Sequence, residues 1–198
     1  HNCVTETNYT AFITTKNIIN QNLQGCFVEC GVFKGEKISI FLETLKYLNV
    51  KNRNIYLIDT FEGMTEPSEL DYQVVDGSKM NKNDMLGTIK EVKKNIINTD
   101  YPLDNIKFVK IDVRNTEKLK NSIQENIALL RLDTDFYDST ISILEALYDR
   151  VNKNGYIIHD DYGHWKGHYE ACKKFFETRK INPVLVRTCR KERLQIKV

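Results

Sequence analysis

The chain has 198 residues, 29 basic against 27 acidic side chains, a formal net charge of +2 and 41% hydrophobic residues. That length suits one domain with a sizeable core and leaves no room for two full cores, and the apolar content argues against wholesale disorder. The balanced charge gives no global pull toward nucleic acid or anionic membrane, so no nucleic-acid partner is expected. Basic pairs such as Lys93-Lys94 and Lys173-Lys174 sit among periodic apolar positions and read as solvated helix faces. No run approaches the roughly 18 apolar residues that span a bilayer, and no cationic n-region with an apolar h-region opens the chain. The five cysteines (Cys3, Cys26, Cys30, Cys172 and Cys189) lack paired scaffold spacing, which fits free thiols in a reducing, cytoplasmic setting. Cys26 and Cys30 read as small buried hydrophobes. His1 stands first instead of Met, which leads us to expect trimming and a missing flanking segment.

Short β-rich apolar runs alternate with amphipathic stretches, the pattern of a parallel α/β sheet. Residues 5–22 read as a helix, Cys26–Cys30 as a first strand, Lys37–Leu48 as a helix and Ile55–Ile58 as a second strand ending at Asp59. Residues 62–83 hold no period and are rich in Glu, Asp, Asn, Gly and Ser. A loop this long suggests a lid or substrate loop. A helix is expected over 84–97, a third strand over Ile106–Ile111, a weak helix over Asn115–Glu125 and a fourth strand over Ile127–Leu132. A helix over Thr140–Val151, a fifth strand over Tyr156–His159 and a helix over Tyr169–Arg179 follow. Pro183–Val186 and Leu194–Val198 then suggest a closing antiparallel hairpin. Most of the strands end at or next to acidic residues or glycine, and open parallel sheets bind ligands outside the carboxyl ends of their strands.

Four segments on that rim carry the chemistry. In Val28-Glu29-Cys30-Gly31-Val32-Phe33-Lys34-Gly35 a strand runs through a glycine turn into a helix, which brings backbone N–H groups toward a ligand. The segment is neither G-x-G-x-x-G nor a Walker A loop, and on its own it also reads as a plain β-to-α turn. Asp59, followed by Thr60-Phe61-Glu62-Gly63, ends the next strand, where an acid can accept ribose hydroxyls or serve as a turn aspartate. Leu132-Asp133-Thr134-Asp135-Phe136-Tyr137-Asp138-Ser139-Thr140 and His159-Asp160-Asp161-Tyr162-Gly163 end the fourth and fifth strands, so Asp133, Asp135, Asp160 and Asp161 should converge. Four carboxylates repel unless a cation or protons intervene, and an all-oxygen set suits Mg²⁺, Mn²⁺ or Ca²⁺. Asp138 or Ser139 is expected to cap the following helix. His159, His164 and His168 surround the same rim, and one of them is expected to touch substrate. Tyr162 and Trp165 could wall in a ring-shaped substrate or simply pack the next helix.

In this order and register the four segments resemble the macrocin O-methyltransferase, or TylF-type, family, from about Gly25 to Phe176. The resemblance implies an α/β class I methyltransferase fold, Rossmann-like, with a three-layer sandwich and a mostly parallel seven-stranded sheet that ends in an antiparallel hairpin. Residues 1–198 are expected to form one such domain. It implies S-adenosylmethionine and a divalent cation, usually Mg²⁺, acting on hydroxyls of a sugar-containing molecule or glycan, with a homo-oligomer as one assembly to expect. By position, Asp133, Asp160 and Asp161 match the metal ligands and Asp135 the general base. Glu29, Gly31 and Gly35 match the turn beside the cofactor, and Asp59 with Thr60 the ribose site. Asp112 and Asp133 are further cofactor candidates, and Tyr137, Tyr162, His164 and Trp165 are substrate candidates. The chain departs from the family pattern before Gly25, at Lys110-Ile111-Asp112-Val113 and at its end.

The chemistry is consistent with this: a cation lowers the pKa of a bound hydroxyl, a carboxylate takes the proton, and positioning sets the methyl in line. Three rivals compete. Asp133-Thr134-Asp135 is formally the D-x-D of a metal-dependent glycosyltransferase, the aspartates also suggest an aspartyl-phosphate phosphatase, and a non-catalytic glycan-binding domain needs no chemistry at all.

Overall fold

A computed structural model describes residues 3–198. Helix α1 (Val4–Asn20) leads into β1 (Cys26–Cys30), α2 (Glu36–Tyr47) and β2 (Ile55–Asp59). After a long segment come α3 (Ile89–Ile96), β3 (Ile106–Lys110), α4 (Thr116–Ser122), β4 (Ile127–Leu132), α5 (Tyr137–Leu147) and β5 (Val151–His159). Helix α6 (Lys166–Thr178) and strands β6 (Leu185–Arg187) and β7 (Arg193–Ile196) complete the order. The strands form one sheet in the order β3-β2-β1-β4-β5-β7-β6. Strands β1 to β5 run parallel, and β7 is antiparallel to both β5 and β6. This is the α/β three-layer arrangement expected, with the closing hairpin in place.

Strand alternation sorts the core into two layers. Val28, Cys30, Leu130, Leu132 and Ile157 face Leu119 of α4, Ile143 and Leu147 of α5, and Phe175 of α6. Phe27, Leu57, Leu129 and Ile158 face Ile18 of α1, Phe41 and Leu45 of α2, and Val92 of α3. β1 and β4 are buried along their whole length, as the central strands of a doubly covered sheet must be. The chain winds outward in both directions from the β1–β4 pair, so a crevice opens above their C-terminal ends.

Several boundaries differ from the sequence expectations for identifiable reasons. Helix α3 starts at Ile89, not at residue 84, because Thr88 and Glu91 close a reciprocal capping box. Strand β5 reaches back to Val151, which takes that residue from the preceding helix. Helix α5 starts at Tyr137, which puts Asp138 and Ser139 inside its first turn, and neither caps it. The N-cap residue Phe136 offers no side-chain acceptor. Instead Asp71, a buried carboxylate from the β2–α3 segment, accepts the Tyr137 N–H at 2.7 Å and the Ser68 N–H at 2.7 Å.

That segment, residues 60–88, has no helix or named strand, yet it is tied down. Tyr72 O accepts the Lys166 N–H at the start of α6 (3.0 Å), Val74 N donates to His164 O (2.8 Å), and Gln73 bridges to Trp165. It therefore supplies acceptors to the first turns of two helices whose own sequences supply none. Asp71→Ala should cost about 1–2 kcal/mol of stability, the loss of one helix cap. Denaturant titration should read that loss, and limited proteolysis should cut within 60–88 faster than in the parent protein.

Candidate active site

The crevice above β1 and β4 holds a cavity of about 440 Å³. Gly31, Asp59, Thr60, Asp112, Asp133, Asp135, Asp161, His164 and Trp165 all line it, as the sequence placed them on one rim. Glu29, Gly35, Tyr137, Asp160 and Tyr162 are not part of the wall. Gly35, at φ +80°, is the N-cap of α2 and packs beside Val92. Gly31, at φ +84°, has the backbone of Asp133 where a Cβ would stand, so its bareness serves the approach of β1 to β4 before it serves any ligand.

Asp59 organises the turn after β1. Its Oδ2 accepts the N–H groups of Val32 (2.7 Å) and Phe33 (3.2 Å), and its Oδ1 accepts that of Phe61 (2.8 Å). Asp112 is held by Arg114, whose Nε and Nη2 both donate to it.

At the centre is Arg131, a buried charge inside the otherwise apolar β4. It shares a sheet register with Glu29 and donates to that carboxylate at 2.7 Å. It also pairs with Asp133 and Asp160, each at 2.7 Å. The other oxygen of Asp160 pairs with Lys191, from the β6–β7 turn. Burial alone would raise the Asp160 pKa, but Arg131 and Lys191 outweigh it and hold the group far below the usual carboxylate range. Burial works against the charge of Lys191 as well, and Asp160, Asp161 and Asp133 overcome it. Asp161 shifts the other way: burial and then the charges of Asp135 and Asp133 raise it well above the ordinary value. Burial, followed by Asp133 and Asp160, pushes Asp135 up to about 7. Burial likewise lifts Glu29 to about 7 in spite of Arg131. Asp135 also sits at φ +60°, a left-handed backbone uncommon for a side-chain-bearing residue and often found at functional sites.

One carboxylate oxygen from each of Asp133, Asp160 and Asp161 lies within 4.8 Å of the others. Asp161 Oδ2 is buried without a hydrogen-bond partner, and so are Thr134 Oγ1, His164 Nδ1 and Trp165 Nε1, all on cavity-lining residues. Leaving such atoms unpaired is costly, and their concentration in the residues of this one wall sets the region apart from the rest of the core. The donor set, three hard carboxylate oxygens of which one lacks any partner, fits a divalent cation.

His159 and His168 do not join the rim. Strand alternation turns His159 to the opposite face of the sheet, and His168 lies buried on α6 beside it, so His164 alone of the three meets the cavity. Arg131, Lys191 and Lys37 were not anticipated as site residues. Lys37 reaches from α2 to Thr7 Oγ1 (2.9 Å) and Asn8 Oδ1 (2.6 Å) of α1 and lines the cavity. The signal for Arg131 was a single basic residue in an apolar strand. No local pattern marks Lys191.

The model of the macrocin O-methyltransferase family, TylF, matches residues 10–189. The chain belongs to this family. It is 30% identical over 151 residues to demethyldecarbamoylnovobiocin O-methyltransferase of Streptomyces niveus, covering 74% of this chain and 56% of that protein. It is 27% identical over 160 residues to 8-demethyl-8-(2,3-dimethoxy-alpha-L-rhamnosyl)-tetracenomycin-C 4'-O-methyltransferase of Streptomyces olivaceus, covering 80% of this chain and 59% of that protein. The chain thus spans a little over half the length of these curated relatives. In fold it is similar to the O-methyltransferase NovP (TM-score 0.86, 24% identity, 98% of this chain and 80% of that one). It also resembles the calicheamicin methyltransferase CalS11 (TM-score 0.77, 19% identity, 95% and 79%).

Because the Asp135 carboxyl is raised, its ionisation in the metal-free protein disfavours the fold. The stability it contributes is full below the ordinary value of 3.8 and is lost as pH rises through about 7. The melting temperature of metal-free protein should therefore fall between about pH 4 and pH 7 and level off above that. The fall should be smaller in Asp135→Asn, and an equal fall in parent and variant would contradict this assignment.

Proposed function

We propose that the chain is an S-adenosylmethionine-dependent O-methyltransferase that methylates a hydroxyl of a sugar-containing acceptor. The observation that carries this reading is the rim itself: Asp133, Asp161 and the raised Asp135 carboxyl line one cavity at the switch point of the sheet, with the Asp160 carboxylate clustered just behind them. The named activities of the relatives, all O-methyltransferases, support it.

S-adenosylmethionine supplies an activated methyl group. Asp59 fixes the turn after β1 with both carboxylate oxygens, and its longest contact, the Thr60 hydroxyl 3.4 Å from Oδ1, is the one a ribose hydroxyl would replace, with the Val32 and Phe33 turn beside it in the wall. Gly31, Thr60 and Asp112 also line the cavity, while Glu29 and Gly35 support it from outside the wall. Asp133, Asp160 and Asp161 would hold the divalent cation, which polarises the acceptor hydroxyl and lowers its pKa. Asp135 takes the hydroxyl proton as oxygen gains the methyl, a role that suits a carboxyl whose pKa stands near neutrality. Arg131 keeps Asp160 ionised and fixes Glu29 behind it. Trp165 and His164 border the acceptor side, and residues 60–88, which bring Met64, Met80 and Met85 to the wall, act as the lid that selects the acceptor. Two adjacent hydroxyls on one sugar ring would suit the spread of the carboxylates. Tyr137 and Tyr162, set back from the wall, are left to pack α5 and α6.

Asp160→Asn combined with Asp161→Asn should abolish methyl transfer to a panel of glycosides, read by mass spectrometry. Calorimetric affinity for S-adenosylmethionine should stay within a few-fold of the parent. Turnover by the double variant, or by the parent in excess chelator, would refute the cation's part. Tight binding of a nucleotide sugar with no response to S-adenosylmethionine would instead favour the D-x-D glycosyltransferase reading of Asp133-Thr134-Asp135.

A further inference from the structure

On the face of the sheet away from the cavity, His159 of β5 meets His168 and Cys172 of α6. All three are fully buried, and one ligating atom from each lies within 4.8 Å of the others. His168 and Cys172 are four residues apart on one helix face, and strand alternation points His159 at them.

The hydrogen bonds fix which atoms are free. Gln195 donates its Nε2–H to the Tyr148 hydroxyl (3.2 Å) and turns its Oε1 to His159 Nε2 (3.1 Å), so that nitrogen carries the proton. His159 Nδ1 is then a bare lone pair, 3.4 Å from Cys172 Sγ. His168 Nδ1 lies 3.3 Å from Thr140 Oγ1; with Nδ1–H donating to that hydroxyl, Nε2 is a second bare lone pair, buried with no partner. A thiol-to-imidazole hydrogen bond accounts for Cys172 and His159 but leaves His168 Nε2 unexplained.

We infer that His159 Nδ1, His168 Nε2 and Cys172 Sγ form a buried site for a soft d¹⁰ cation, with Cu⁺ favoured over Zn²⁺. Two ligands on one metal, at bond lengths of about 2.0 Å to nitrogen and 2.3 Å to sulfur, stand about 3.5 Å apart, close to the observed sulfur–nitrogen separation. On binding, the Cys172 thiol releases its proton to solvent and the sulfur lone pair takes the metal, with no change of oxidation state. Three donors satisfy Cu⁺, and Cu⁺ with one thiolate and two neutral imidazoles is neutral overall. Zn²⁺ would leave a net positive charge in a closed apolar layer. Gln195 positions the His159 ring, as outer partners of metal-bound histidines do.

The test uses the full chain, purified without oxygen and titrated separately with Cu⁺ and Zn²⁺ against a chromogenic chelator, with X-ray absorption at the metal edge. One equivalent of Cu⁺ with a sulfur-and-nitrogen shell is expected, and Cys172→Ser and His168→Leu should each lose it. Asp161→Asn, which alters only the carboxylate cluster, should retain it. If either variant fails to fold, the shell seen in the parent protein decides alone. Zn²⁺ bound in place of Cu⁺ in the same shell would keep the site and overturn the choice of ion. An oxygen-only shell, or binding unchanged in Cys172→Ser, would overturn the site.

Discussion

A guanidinium buried in the middle of a β-sheet is tolerable only if acids surround it, and acids packed above a sheet are tolerable only if a fixed cation lies among them. Arg131 and its three carboxylate partners satisfy both conditions at once. Arginine is suited to this because it cannot shed its proton and its fork offers several donors in fixed directions. Glu29 arrives from β1, Asp133 from the end of β4 and Asp160 from the end of β5, so one side chain ties three neighbouring strands at the rim where the chemistry is placed. Breaking such a network by removing one member leaves an uncompensated buried charge, typically a loss of about 3–5 kcal/mol.

The network also divides otherwise similar aspartates into different states. Asp160, held by Arg131 and Lys191, stays ionised, whereas Asp135 and Asp161, buried near like charges and farther from Arg131, are pushed toward protonation. The cations at the site, Arg131, Lys191 and Lys37, are outnumbered by Glu29, Asp133, Asp135, Asp160 and Asp161. A site with a negative excess, an orphaned carboxylate oxygen and one carboxyl poised near neutrality has the attributes of a place that accepts both a cation and a proton.

Much of this could be read in the sequence. Apolar runs ending in acids gave the strands and the rim, and the ordered motifs gave the family. What could not be read was what depends on direction or on distant partners. His159, next to Asp160 in sequence, faces the other layer because consecutive strand residues point to opposite sides. The cap of α5 comes from Asp71, some sixty-five residues earlier, so no local pattern near Tyr137 reveals it. Lys191 becomes a site residue only because β7 folds back beside β5 and sets the hairpin turn over Asp160. Arg131 was visible as an anomaly, one charge in Ile-Ala-Leu-Leu-Arg-Leu, and such an anomaly in a central strand already calls for buried acids beside it.

The placement of Lys191 bears on how the protein is made. The ribosome delivers Glu29, Arg131 and Asp160 well before the hairpin that closes the sheet. Until that hairpin arrives, Asp160 has half of its counter-charge and β5 has an open edge. Completion of the rim is therefore a late event in biosynthesis. A nascent chain halted between α6 and β7 would present an uncovered strand and an unbalanced acid together, a combination that invites chaperone capture before any ligand could bind.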